Sequence, residues 1–123
     1  MTKSFGTVAV VGVGLLGGSL GLALKDRGLA RTVRGVGRRQ ESLDTALAIG
    51  AIDEPFLNSR DAVRGADLIV LCTPAGLIPS ELDLIRPLIS MSTVVTDVAS
   101  TKAEICAHAR RTWSEPYRFV GSH

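Results

Sequence analysis

Cysteine, histidine and aromatic side chains are scarce in this 123-residue sequence, and each scarcity removes a class of function. The two cysteines, Cys72 and Cys106, stand in unrelated contexts with no CxxC or Cys/His spacing. That argues against a zinc site or a disulfide framework, so no metal is expected, and it fits a reducing cytoplasm. Three Phe, one Tyr and one Trp offer few platforms for stacking bases, and the net charge of +2 is mild. Nucleic acid is therefore not an expected partner. No apolar run approaches the ~20 residues that cross a bilayer, and the N-terminal stretch lacks a small-residue cleavage site, so neither a membrane span nor a leader is expected. Repeats, low-complexity tracts and linkers are also missing. What remains is a chain with 46% hydrophobic and 21% charged residues, the composition of one soluble globular domain. A chain of this length buries roughly two thirds of its unfolded surface, enough for a core without staples.

The apolar runs recur at intervals and alternate with helical segments, the pattern of βαβ units on a parallel sheet. "TVAVV" (7–11) is continuously apolar and β-branched, as a strand covered on both faces should be. "TVRGVG" (32–37), "DLIVLC" (67–72), "STVVTD" (92–97) and "YRFVG" (117–121) repeat that character, and a short strand at "GAID" (50–53) would make six. Helices are predicted over Leu15 to Arg27, Gln40 to Ile49 and Ser59 to Arg64, closed by Gly28, Gly50 and Gly65 as left-handed caps. Two more are predicted, from about Ile78 to Ile89 and from Thr101 to Trp113. Pro79 suits a first helical turn, and Pro87 should kink or shorten its helix near the end. The fold class that follows is α/β: a doubly wound parallel sheet of Rossmann type, with helices on both faces, in a single domain.

"VAVVGVGLLGGSLGLAL" (8–24) carries the most information. Gly12, Gly14 and Gly17 form G-x-G-x-x-G directly after a strand and at the opening of a helix that begins with Leu15 and Leu16. Gly12 permits the tight turn, Gly14 lets backbone approach a pyrophosphate, and Gly17 lets the helix pack close to the sheet. The helix N-terminus offers unpaired N–H groups to the phosphates. Gly18 and Gly21 read as small residues for close packing.

The choice between NAD and NADP falls at the end of the second strand, where NAD enzymes place an acidic residue on the ribose. Here the sequence reads "RGVGRRQES". Gly37 stands at the acidic position, and Arg38 and Arg39 follow. The missing carboxylate and the guanidiniums favour NADP over NAD, against the plainer reading of two solvated loop arginines. Arg31 and Arg34 read as surface charge.

At the end of the fourth strand, Cys72, Thr73 and Pro74 are expected beside the cofactor. Thr73 is a candidate ribose partner, and Cys72 reads as a small apolar group. After the fifth strand come Asp97 and Ser100. Ser100 reads equally as a helix cap and as a substrate contact. His108 reads as a solvated helix residue.

Taken together, "VAVVGVGLLGGSLGLAL", "DLIVLCTP", "TVVTDVASTK" and the terminal "RFVGSH" resemble the N-terminal half of the prephenate/arogenate dehydrogenase family. The glycine loop of that family commonly reads G-x-G-x-x-G-G-S, its fifth strand runs into T-D-x-x-S-x-K, and its sixth into F-[IV]-G-[GS]-H-P-[MI]-A-G. The resemblance spans essentially all 123 residues. Gly12, Gly14, Gly17, Gly18 and Ser19 match the cofactor loop; Asp97, Ser100 and Lys102 match the loop after the fifth strand; His123 matches the catalytic histidine. It implies oxidative decarboxylation of prephenate or arogenate in tyrosine biosynthesis. His123 would draw off the proton of the ring hydroxyl, and Ser100 would place that hydroxyl. It also implies a C-terminal helical domain beyond these residues, carrying substrate contacts and a homodimer interface. The chain itself, 1–123, would be the dinucleotide-binding domain, inactive alone. The alternatives are another two-domain dehydrogenase of β-hydroxyacid or imine reductase type, and a non-catalytic nucleotide-binding module.

Overall fold

The computed structural model describes residues 5–97 and 118–121, with only the backbone of Leu15, Leu16, Ala75 and 118–121. Among these residues six strands run β1 (Phe5–Val11), β2 (Ala30–Val36), β3 (Glu54–Phe56), β4 (Leu68–Leu71), β5 (Val94–Asp97) and β6 (Arg118–Gly121). The helices are α1 (Leu15–Asp26), α2 (Gln40–Ala48), α3 (Ser59–Val63) and α4 (Ile78–Ile85). The strands form one sheet in the order β3-β2-β1-β4-β5-β6, and every neighbouring pair is parallel. This is the strand order of a doubly wound dinucleotide-binding sheet, with its switch point between β1 and β4.

The two faces follow from the period-2 alternation of strand side chains. Val8 and Val10 of β1 join Val33, Leu68 and Val70 under α1 and α2, where Leu24, Leu43 and Ala46 complete one core. Ala9 and Val11 point the other way, joining Ile69, Leu71 and Val95 under α3 and α4, where Ala62, Val63, Ile78, Leu82 and Ile85 complete the second. A central strand buried on both sides has no polar face to show, which is why 8–11 reads as unbroken valine and alanine. Each large side chain so buried contributes about 1.5–3 kcal/mol.

Two of the three glycines expected to close helices do so; α3 instead ends at Val63 with Arg64 extended, and Gly65, at φ 74°, lies in the turn that the Ala66 N–H closes onto Val63 O. After α1, the N–H of Gly28 donates to Lys25 O and that of Leu29 to Leu24 O, with Gly28 at φ 65°. After α2, Gly50 and Ala51 repeat the same pair of bonds to Leu47 and Ala46. Both are Schellman closures. The closure after α2 also displaces the third strand from its expected place at 50–53 to Glu54–Phe56. Gly50 and Ala51 are consumed by the cap, and Asp53 accepts from the N–H of Val33 at 2.8 Å and from Lys25. Pairing therefore begins one residue later, with Arg34 opposite Glu54. Pro55 is tolerated because β3 lies at the sheet edge.

Pro79 falls in the first turn of α4. The helix stops at Ile85, and a 3₁₀ turn over Arg86–Leu88 carries Pro87, so the predicted helix to Ile89 is shortened as its proline requires. The predicted helix 101–113 lies outside the described residues.

Arg34 corrects the expectation of a surface charge. Its Nε donates to Glu54 Oε1 at 2.9 Å, and one terminal nitrogen donates to the carbonyls of Ala62 (3.1 Å) and Arg64 (2.6 Å). Its guanidinium also lies 5.9 Å from the centre of the Phe56 ring. Carbonyls at the end of a helix have no intrahelical donors, and this cation supplies them. One side chain thus ties β2, β3 and α3 together.

Candidate functional site

The ends of β1, β2, β3 and β4 meet around a cleft of about 660 Å³. Backbone hydrogen bonds hold its floor. The N–H groups of Gly12 and Val13 both donate to Val36 O (2.8 and 2.9 Å), Gly37 N–H donates to Phe56 O (3.1 Å), and Cys72 N–H donates to Val11 O (2.7 Å).

Gly12 turns the chain out of β1 at φ 99°, a left-handed conformation that a side chain would strain. Gly17 lies against that turn: a Cβ there would stand 2.2 Å from Gly12 O, so only glycine lets α1 come this close. Gly14 differs. It lines the cleft, and a Cβ on it would meet nothing within 4 Å, so the backbone is bare toward open space. Gly14 is also the N-cap of α1 and brings no capping side chain, and the first turn contains no acidic residue. The helix start is therefore left with backbone donors and the positive end of its dipole. Leu15 and Leu16 form that first turn.

Gly37, Arg38 and Arg39 line the cleft at the end of β2. Arg39 is the N-cap of α2, and both arginine side chains are exposed. Behind Gly37 lies Leu43, which would stand 3.1 Å from a Cβ at 37 and would have to give way slightly to any side chain there. Cys72, Thr73 and Pro74 line the cleft after β4. Burial pushes the Cys72 thiol up to about 11, which leaves it un-ionised at neutral pH. Thr73 packs its methyl against the Gly12 turn, and its Oγ1 is buried without a hydrogen-bond partner among the described residues. A buried hydroxyl of this kind ordinarily finds a partner, and a bound polar ligand would supply one.

Asp97, at the end of β5, is fully buried and does not line this cleft. Its neighbour across the ladder is Gly121 of β6. Ser100, Lys102, His108 and His123 lie outside the described residues.

Several cleft residues carry no sequence motif. Asn58 caps α3, accepting from the N–H of Asp61 at 3.0 Å and donating to its carboxylate. Ser59, beside it, donates to Glu81 Oε2 of α4 at 2.8 Å. Leu57, Leu77 and Leu84 add apolar surface. Asn-x-x-Asp is a helix-start signal that the prediction of a helix from Ser59 did not use, and only the strand order brings β3 and α4 to the same cleft.

The cleft thus combines a bare glycine turn, an uncapped helix start, two guanidiniums and an unpartnered hydroxyl. These are the donors that a pyrophosphate and phosphorylated ribose require, so the residues present fit a dinucleotide. The family described as prephenate dehydrogenase, nucleotide-binding domain, matches residues 20–123. The chain belongs to this family. A prephenate dehydrogenase of Bacillus subtilis is 30% identical over 125 residues, covering 100% of this chain and 33% of that protein. Among solved structures, the Synechocystis arogenate dehydrogenase is 37% identical with a TM-score of 0.84, covering 95% of this chain and 40% of its own. A prephenate dehydrogenase from A. aeolicus, solved with hydroxyphenyl propionate and NAD+, has a TM-score of 0.88 and 27% identity, covering 100% of this chain and 43% of its own. The chain accordingly spans about a third of the curated relative's length. Among the described residues no helix is long and apolar enough to cross a membrane.

Proposed function

We propose that the chain is the dinucleotide-binding domain of a dehydrogenase that converts prephenate or arogenate by oxidative decarboxylation, and that it takes NADP in preference to NAD. The observation that carries the cofactor reading is the end of β2, where Gly37 replaces any acidic side chain and Arg38 and Arg39 both line the cleft. A 2′-phosphate meets no carboxylate there, and two guanidiniums are available to hold it by charge-assisted hydrogen bonds. Gly12 and Gly14 leave room for the pyrophosphate, and Thr73 offers its hydroxyl to a ribose.

The bound nicotinamide supplies a hydride acceptor, and the residues of the chain do the rest. His123 draws the proton from the ring hydroxyl as hydride leaves its carbon, a general-base task suited to an imidazole. Ser100 positions that hydroxyl. Loss of CO2 then leaves its electron pair to the ring, which becomes aromatic. These two roles rest on the match to the family motifs. The pairing of Asp97 with Gly121 supports them, because it sets the carboxyl ends of β5 and β6 side by side in the sheet. The proposal extends to a second, helical domain that completes the substrate site and pairs two subunits in the cytoplasm.

Titration of the chain with NADPH and NADH, followed by nicotinamide fluorescence, tests the cofactor reading. NADPH should bind at least about tenfold more tightly, and replacing both Arg38 and Arg39 by Ala should remove that margin, since a charged hydrogen bond contributes about 1.5–3 kcal/mol. A preference for NADH would overturn it. Assay of the chain joined to its helical domain, on prephenate and on arogenate, tests the reaction.

A further inference from the structure

Arg38 and Arg39 mark where the adenosine ribose lies under the cofactor reading, and the cleft continues beyond them. Its remaining wall is built by the end of β3 and by α4. Leu57, Leu77 and Leu84 line it, and Leu57 and Leu84 are among the large apolar side chains left exposed in the described residues, 59% and 41% accessible. Large apolar side chains exposed together at a cleft usually have an occupant. A flat heteroaromatic ring fits that surface.

One charged group interrupts it. Glu81 is the single acidic side chain lining the cleft among the described residues. Its carboxylate is half-buried and fixed by Ser59, which is itself buried and donates to Oε2 at 2.8 Å. A carboxylate accepts about four hydrogen bonds, and Ser59 occupies one. Asn58, which also lines the cleft, gives one amide N–H to the Asp61 carboxylate and accepts the Asp61 N–H on its oxygen, so it is held against α3. The wall therefore presents apolar faces and one oriented acceptor, and it wants a flat ligand that carries a donor on its edge.

We propose that Glu81 is a specificity-determining residue that reads the exocyclic amine of adenine. It rests on the cofactor reading above and goes beyond it. The amine of adenine donates to the carboxylate, whereas hypoxanthine places a carbonyl oxygen at the same position and sets two acceptors against each other. Ser59 acts through Glu81, holding the carboxylate in register.

The test compares the binding of NADPH with that of its hypoxanthine counterpart, and NADH with its own, to the chain and its variants by nicotinamide fluorescence. The wild-type chain should bind the hypoxanthine form about 10- to 100-fold more weakly, the range of a hydrogen bond to a charged group. Glu81→Gln should collapse that ratio to within about threefold, because a neutral amide rotates to offer either a donor or an acceptor. Ser59→Ala should reduce the ratio while keeping the carboxylate. Equal binding of both forms by wild type, or an undiminished ratio in Glu81→Gln, overturns the role of Glu81 and leaves dinucleotide binding standing. Failure to bind either NADPH or NADH overturns both.

Discussion

Gly14 and Gly17 lie three residues apart, yet alanine should affect them through different physics. At Gly17 a methyl group would collide with Gly12 O, so Gly17→Ala should lose about 1–3 kcal/mol of stability, as overpacked sites do, in urea titration. At Gly14 the methyl meets nothing in the protein and projects into the cleft. Gly14→Ala should therefore unfold at the wild-type urea midpoint while binding NADPH at least about tenfold more weakly. Equal loss of stability in both variants would mean that Gly14 serves the fold. The sequence distinguishes these glycines by their places in the motif, but it does not show that the space at Gly14 is empty. Cys72 was legible as an apolar group, and its thiol adds a pH dependence. Burial raises the pKa to about 11 from an unfolded value of 9.0, so the contribution to stability is full below pH 9 and is lost as pH rises toward 11. In a Cys106→Ser background, alkylation by iodoacetamide at pH 8 should be about a hundredfold slower in the folded chain than in urea, since only the thiolate reacts. Equal rates would refute a buried thiol.

At the scale of elements, the helices and strands on β1's two faces were legible because burial writes itself as period and composition. The exceptions have local causes. The third strand moved to Glu54–Phe56 because the closure of α2 and the bonds of Asp53 claimed the residues ahead of it. No hydrophobic pattern records such claims. Arg34 was misread for a similar reason: an arginine on a strand looks solvated until the end of α3 is placed over it. Removing it leaves the carbonyls of Ala62 and Arg64 without this donor and releases Glu54. Arg34→Ala should cost about 1.5–3 kcal/mol, the range for charge-assisted hydrogen bonds. Arg34→Lys should recover only part, because an ammonium lacks the planar fork that serves three partners at once. Full recovery by lysine in urea titration would show that charge alone, rather than the fork, holds the element.

At the scale of the molecule, strand order decides what the cleft can recognise. The order of hydrophobic runs along the chain predicts six parallel strands but leaves their arrangement open; the glycine loop and the family motifs supply it. With β2 on one side of β1 and β4 on the other, the glycine turn, the arginine pair and Thr73 converge from segments up to about sixty residues apart. A site assembled from three loops should stiffen the whole domain when it is filled. NADPH at a hundred times its dissociation constant should add about 2.7 kcal/mol to the stability of the chain by mass action. For a domain of this size that corresponds to a melting temperature higher by about 10 °C. NADH at the same concentration, if bound tenfold more weakly, should add about 1.4 kcal/mol and raise it by roughly half as much. The Arg38/Arg39 double alanine variant should bring the two shifts together by lowering that of NADPH alone. If the variant instead lowers both equally, the arginines hold the common pyrophosphate, and the preference for the 2′-phosphate must be sought elsewhere in the cleft.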